Sequence, residues 1–523
     1  MKNNLLLSGI IFLAMSVSCF CQTFYQKTYG DASSNKAFGV ITLTNGDIVI
    51  SGQTGTTPTT KDIFLMKTDS LGNIIWTKSY GTPQSEEGRV CKQTSDGGFI
   101  ISGYSSSTNV DAVLIKTDAN GVLQWSKKYG GTGNDFAWPL DFTSTGDIYF
   151  AGWSSSVIYG GLYDAFIVKT NNTGDTLWTR MFGTTNEDFF RSLATTSDGG
   201  CIAVGETNGW SANYDINVVK LDSSGATQWS EVLGTVLDID YAWNVKQTSD
   251  GGYIIGGNSG AISNTGDILL FKLDANGNVV WSKMIGDGNV SLNDCRSIIE
   301  TSSGNYLMSG IGGVNDEGLV VMLNNTGDTL WTKHYAVGIL VDHIRFINEI
   351  NPNEFIACGY SSSIGSGSED IFLLKIDSNG FAGGCNEYSA NYNVNSHTLP
   401  SITGIPSSST IFTTGVISGS TTLTYTQTNV CDSILFTSVI ESNINMNKDL
   451  SVYPNPANEN LTITIPNTLG INKQILIYNS MGKLVKEISA LQSESINISD
   501  LYSGIYFIQL KDKPHVAIKF IKH

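Results

Sequence analysis

The sequence predicts an all-β protein: a seven-bladed β-propeller, then a spacer, then a small C-terminal Ig-like β-sandwich. Three observations carry this expectation. The stretch DANGNVVWSKMIG at 274–286 recurs as TDSLGNIIWTKSYG from 68, TDANGVLQWSKKYG from 117, TNNTGDTLWTRMFG from 170, LDSSGATQWSEVLG from 221 and LNNTGDTLWTKHYA from 323. Its Trp falls at 76, 125, 178, 229, 281 and 331, so the spacings are 49, 53, 51, 52 and 50 residues, the size of one propeller blade. Finally, 56 Gly against 10 Pro in 523 residues, with Ser, Thr and Asn throughout, describes short strands joined by tight turns rather than helices.

The first element is a leader. Lys2 precedes the apolar stretch LLLSGIIFLAMSV, and SCFC stands before Gln22, which is the order of a secretory signal peptide over residues 1–21 with cleavage after Cys21. Acylation of Cys19 would need an aliphatic residue where Ser16 stands. No later run approaches the roughly 20 apolar residues of a membrane-spanning helix.

The propeller is assigned to residues 22–383. Each repeat has four strand signals; in the second copy these are SEEGRVCKQT, the turn SDGG, FIISGY, a variable loop, DAVLIKT, the turn DANG and LQWSKKYG. Third strands such as IFLMK at 63 and IFLLK at 371 are continuously apolar, as strands buried on both faces are. The second-strand signature occurs seven times (DIVISG at 47, GFIISG at 98, DIYFAG at 147, GCIAVG at 200, GYIIGG at 252, NYLMSG at 305, EFIACG at 354), but the Trp-bearing fourth strand only six. YQKTYG, at 25–30, matches WTKSYG with Tyr for Trp, so residues 22–30 are expected to complete the seventh blade and close the ring.

Residues 384–447, rich in Ser, Thr and Asn, read as an extended spacer with at most a short hairpin. Of the six cysteines after the leader, Cys91, Cys201, Cys295 and Cys358 sit in strand-like runs as small buried hydrophobes, and Cys385 and Cys431 are the candidate disulfide of an exported protein. Residues 448–523 alternate in short runs broken by Asn, Gly and Pro, about seven strands of a sandwich.

A net charge of −17 disfavours nucleic acid and anionic membranes as partners. Two regularities mark a candidate ligand-binding face. Eight residues before each first turn glycine, or its counterpart Asn353, stand Phe38, Arg89, Trp138, Arg191, Trp243, Arg296 and Arg345; three residues upstream of each stand Asn35, Glu86, Asp135, Asp188, Asp240, Asn293 and Asp342. First strands line a propeller channel, so these become a ring of Arg or Trp and a ring of acid or amide groups near its mouth. Loop aromatics, among them Trp153 and Trp210, would extend a platform suited to glycan or protein. The five His fall in no catalytic motif, so binding or adhesion is favoured over catalysis; a carbohydrate-active enzyme using Asp135, Asp188 or Asp240 is the alternative. The D-x-x-G turns offer too few carboxylates for calcium, and no metal or cofactor is expected.

Two resemblances add to this. D-x-x-G-x-x-x-W resembles the tryptophan-docking repeat of quinoprotein dehydrogenases, in which the repeated Trp is a packing device, so the resemblance implies no quinone site at these positions. At the chain end, Tyr453-Pro454-Asn455-Pro456, then YNSMGKLV with Gly482 and Lys483, the ISDLYSGIYFIQL block with Gly504 and Tyr506, and a last strand with Lys519 and Lys522 resemble the type IX secretion (Por) C-terminal sorting domain. That implies export across the outer membrane by the type IX machinery, to the cell surface or the medium.

Overall fold

The computed structural model describes the chain from Gln22 to Lys522 apart from residues 436–450, 465–472, 287–292 and shorter stretches of one to five residues. The predicted leader lies outside the described residues. The chain divides into two compact units, residues 24–432 and residues 433–523. Among the described residues the regular elements are strands.

The first unit holds seven antiparallel sheets of five strands, and no sheet closes on itself. Sheets 1 to 6 each take four consecutive strands, from residues 34–80, 85–130, 135–182, 188–233, 239–286 and 294–335. Sheet 7 takes Asp342–Asn351, Glu354–Ser361 and Asp370–Asp377, and its fourth strand is the first described strand, Gln22–Gly30. The register runs antiparallel from Tyr25 opposite Lys375 to Tyr29 opposite Ile371.

The repeated D-x-x-G-x-x-x-W stretch locks each sheet to the next. The Asp or Asn that opens the turn accepts two backbone N–H groups with one side-chain oxygen: Asp118 Oδ1 takes Asn120 N and Val122 N, each at 2.8 Å. That use of the oxygen is what a tight turn requires. The turn glycines, Gly72, Gly121, Gly174, Gly225, Gly277, Gly327 and Gly380, have φ between 73° and 88°. Six of them lie flat on the indole of the preceding sheet, where an added Cβ would come within 2.9–3.0 Å of Trp76, Trp125, Trp178, Trp229, Trp281 and Trp331. The seventh, Gly72, packs in the same way on Tyr25 and Tyr29 of the N-terminal strand. A tyrosine hydroxyl seals several of these junctions by donating to the turn carbonyl: Tyr29 to Gly72 O at 2.6 Å, and Tyr80, Tyr129 and Tyr335 to Gly121, Gly174 and Gly380 O at 2.7 Å. The tryptophans thus dock sheets, and the glycines are needed both for their φ and for the missing Cβ.

The segment expected to be a spacer differs from that expectation. Short strands run backwards around the unit, one per sheet: Glu387–Ser389 on sheet 6, Asn393–Ser396 on sheet 5, Ser401–Thr403 on sheet 4, Ser407–Ser408 on sheet 3, Thr413–Gly415 on sheet 2, Thr421–Thr422 on sheet 1 and Thr426–Leu435 beside Gln22–Gly30. Each forms the fifth strand of its sheet. The physical reason is that every fourth strand would otherwise leave a free edge of backbone donors and acceptors. Of the cysteines, Cys91, Cys201, Cys295 and Cys358 are buried free thiols. Cys385 lies outside the described residues, and Cys431 falls in the last of the short strands.

The second unit has a three-stranded sheet (Ser451–Tyr453, Asn460–Thr464, Ser493–Asn497) and a four-stranded one (Leu484–Ala490, Lys473–Asn479, Gly504–Leu510, Lys513–Lys522). Residues from both, including Leu461, Ile463, Ile475, Ile477, Ile508 and Phe520, share one buried apolar cluster.

Candidate functional site

The seven first strands of the large unit share one irregularity. In each, the ladder to the second strand skips at the residue singled out by its spacing: Phe38 in sheet 1, Arg89 with Val90 in sheet 2, Trp138 with Pro139 in sheet 3, then Arg191, Trp243, Arg296 and Arg345. A β-bulge re-aims the side chain it carries. All seven side chains line a single cavity of about 420 Å³, a size suited to a small ligand or the end of a chain.

From sheet 1 to sheet 6 these side chains are alternately aromatic and cationic, and Arg345 of sheet 7 follows Arg296 as a second cation. The Arg89 guanidinium lies 4.5 Å from the Phe38 ring and 4.2 Å from Trp138; Arg191 lies 4.8 Å from Trp138 and 5.3 Å from Trp243; Arg296 lies 3.9 Å from Trp243. Such contacts contribute about 0.5–2 kcal/mol each and fix the guanidinium planes. The indoles therefore have cations against them, and the expected open aromatic platform is replaced at this level by a cationic collar. Acids from the same sheets steady three of the cations: Glu87 for Arg89, buried Glu206 for Arg191, and buried Asp294 for Arg296 at 2.5 Å. Arg345 instead donates to the Tyr360 hydroxyl at 2.8 Å. Burial, together with repulsion from Arg345, holds Arg89 and Arg296 below the ordinary guanidinium range.

Three residues further along their strands, Lys92 and Lys246 form a second cationic tier in the same cavity. Lys92 pairs with Asp141 at 3.1 Å, and Asp141 also accepts Thr195 N and Oγ1 at 3.0 and 3.1 Å. Burial and the neighbouring Lys92 charge, opposed by Asp141, bring Lys246 down to about 8 from 10.5. Below pH 8 the folded state carries this amine charged at a cost that fades as pH rises toward the ordinary lysine value. Lys246→Gln is therefore expected to stabilise the protein by about 1–3 kcal/mol at pH 7, with the difference vanishing near pH 10.5. Urea denaturation at the two pH values checks this; a variant less stable than the parent at pH 7 contradicts it.

The predicted acids are placed elsewhere. Asp135, Asp188 and Asp240 are fully buried and do not line the cavity. Asp135 accepts Gly131 N at 2.9 Å and the Ser156 hydroxyl at 2.6 Å, and Asp188 accepts Thr184 N at 2.7 Å, so these carboxylates fasten the connections between sheets. Burial raises both above the usual carboxylate range, with the hydrogen bonds opposing it. Among the described residues lining the cavity, the carboxylate is Glu87.

Trp153 is buried and stacks on Phe136 at 5.1 Å, one member of a half-buried aromatic arc that continues through Phe189, Tyr214 and Tyr241 to Trp243. Trp210 lies outside the described residues. The sequence reading missed Lys36, Lys61, Lys92 and Lys246, which also line the cavity. The signal for the last two was their offset: after a bulge, the next residue facing the same way stands three positions on, not two.

In the second unit, Tyr453 is exposed and Tyr506 is buried, stacked on Phe520 at 5.4 Å. Gly504 pairs with Lys522 and Phe507 with Lys519. Pro454, Asn455, Pro456, Gly482 and Lys483 lie outside the described residues.

Residues 451–523 match the family described as Secretion system C-terminal sorting domain. This segment is such a domain, and it marks a protein secreted through the type IX system to the outer cell surface or the extracellular space. The chain is 40% identical to Beta-agarase A of Zobellia galactanivorans over 60 residues, which is 11% of this chain and 11% of that enzyme. Solved structures resemble part of this chain at low identity. A protein of unknown function from Dyadobacter fermentans matches 67% of this chain and 98% of its own at 12% identity and TM-score 0.40. An ulvan lyase matches 68% and 96% at 8% identity and TM-score 0.44. At these values the likeness assigns neither ligand nor activity.

Proposed function

We propose that the seven sheets are the blades of a closed β-propeller, carried out of the cell by its sorting domain, and that the propeller is a binding or adhesion module whose site is the central cavity. The observation that carries this reading is the convergence of seven bulged side chains, one from each sheet, on one cavity. Support for closure comes from the glycine-on-aromatic contact, repeated between sheets 7 and 1 through Gly72, Tyr25 and Tyr29. Bulges interrupt ladder hydrogen bonds, and seven at equivalent positions make sense if the side chains they deliver meet a common ligand. The ligand class is a glycan or a protein segment small enough to enter the cavity.

Hydroxyl-radical footprinting of the secreted protein, with any ligand found on glycan and protein arrays, tests the placement. Protection is expected at Phe38, Trp138, Trp243 and Tyr360. Protection confined to the sorting domain or to residues remote from the cavity would contradict it.

A further inference from the structure

We infer that the ligand of this cavity is anionic, a saccharide bearing carboxylate or sulfate groups. The inference rests on the cavity-binding reading and adds the chemical class. In a chain of net charge −17, eight cationic side chains line the cavity against one acid, Glu87. Counting the acids that pair with them from behind the wall (Glu369, Asp141, Glu206 and Asp294) brings the opposition to five and leaves three cations in excess. Arg345 and Lys246 form no ion pair within contact distance among the described residues, Lys246 feeling Asp141 only through space, so neither charge has a carboxylate bound to it. Like charges held this close repel one another, and an oxyanion is the guest that relieves the repulsion while accepting guanidinium N–H groups in pairs.

Two further features favour a saccharide over a bare inorganic anion. The arc of half-buried Phe136, Phe189, Tyr214 and Tyr241 lies outside the residues that line the cavity but adjoins the collar through Phe189, 4.9 Å from the Arg191 guanidinium, so a chain longer than the cavity would meet apolar faces beside the charges. The two cationic tiers also lie three residues apart along the strands, roughly 10 Å at full extension, which suits a guest with more than one charged group.

The experiment is calorimetric titration of the full secreted chain with four probes: dextran sulfate oligomers, uncharged dextran oligomers of equal length, sodium sulfate and poly-glutamate, each paired with footprinting. Dextran sulfate is expected to bind about tenfold or more tighter than each of the other three, to weaken as salt rises, and to lose about tenfold in Arg345→Gln. If Arg345→Gln fails to fold, Lys246→Gln, for which stabilisation is expected, serves as the second variant. Equal binding of dextran in the cavity overturns the anionic class while leaving the cavity reading standing. Equal binding of sodium sulfate or poly-glutamate overturns the saccharide. Sulfated ligand that footprints elsewhere and ignores both variants overturns the cavity reading as well.

Discussion

Deleting residues 22–30 is expected to unfold the whole unit spanning residues 24–432, not to fray one edge. The strand is short, but Phe24, Tyr25 and Tyr29 are buried at or below 1% exposure, and Gln26, Lys27 and Thr28 are buried with them. Burying each of three aromatic side chains contributes about 2–3 kcal/mol, and the ladder to Asp370–Asp377 adds its hydrogen bonds, so the loss approaches the 5–15 kcal/mol that holds a typical domain folded. The damage falls on both sides of the strand. Sheet 7 loses its fourth member, and Gly72 of sheet 1 loses Tyr25 and Tyr29, against which it packs, along with the hydroxyl bound to its carbonyl. Calorimetry of the deletion variant is expected to show no cooperative transition for this unit; a melt like the parent's contradicts the account. Tyr29→Phe, which removes one buried hydrogen bond, is the graded control, at about 1 kcal/mol.

The second large effect concerns the encircling segment. A chain ending at residue 383 is expected to fold its four-stranded sheets and then associate, because the outer edges of all seven lose the strands that cover them. The cover pairs with the later part of the fourth strands, among them Lys78 and Ser79, Met181 and Phe182, and Lys333 to Tyr335, so the truncation bares the backbone donors and acceptors there. A chain ending at residue 435 keeps the cover and lacks only the sorting domain. Light scattering on the two is expected to give large, concentration-dependent mass for the shorter and a monomer for the longer. Two equally monodisperse species would show that the edges need no cover.

Much of this architecture was legible because it is written in side chains that pack. The Trp-bearing strand repeats because each indole docks on a turn glycine, and the Tyr25–Gly30 stretch could be matched to the missing copy because its tyrosines make the same contact. The encircling segment was not legible, since six of its seven strands have only two to four residues, and strands that short added at an edge are held by backbone hydrogen bonds, which leave no alternation in the sequence. The ring residues were found by spacing, but a count of positions cannot show a bulge, and so Lys92 and Lys246 went unnoticed. Asp135 and Asp188 fasten loops where the sequence predicts acids facing a channel, because a carboxylate three residues before an Arg or Trp looks the same in sequence in either place. The stacking of Arg89, Arg191 and Arg296 against Trp138 and Trp243 was likewise hidden, because each contact joins side chains from neighbouring sheets.

The central claim, that the chain's first strand completes the seventh sheet and so holds the cavity's wall together, is tested most directly by native-state hydrogen exchange of residues 22–30. The amides of this strand are expected to exchange as slowly as those of Asp370–Asp377, opening only with the whole unit. Exchange within seconds, as in a frayed terminus, while Asp370–Asp377 stays protected, would contradict it.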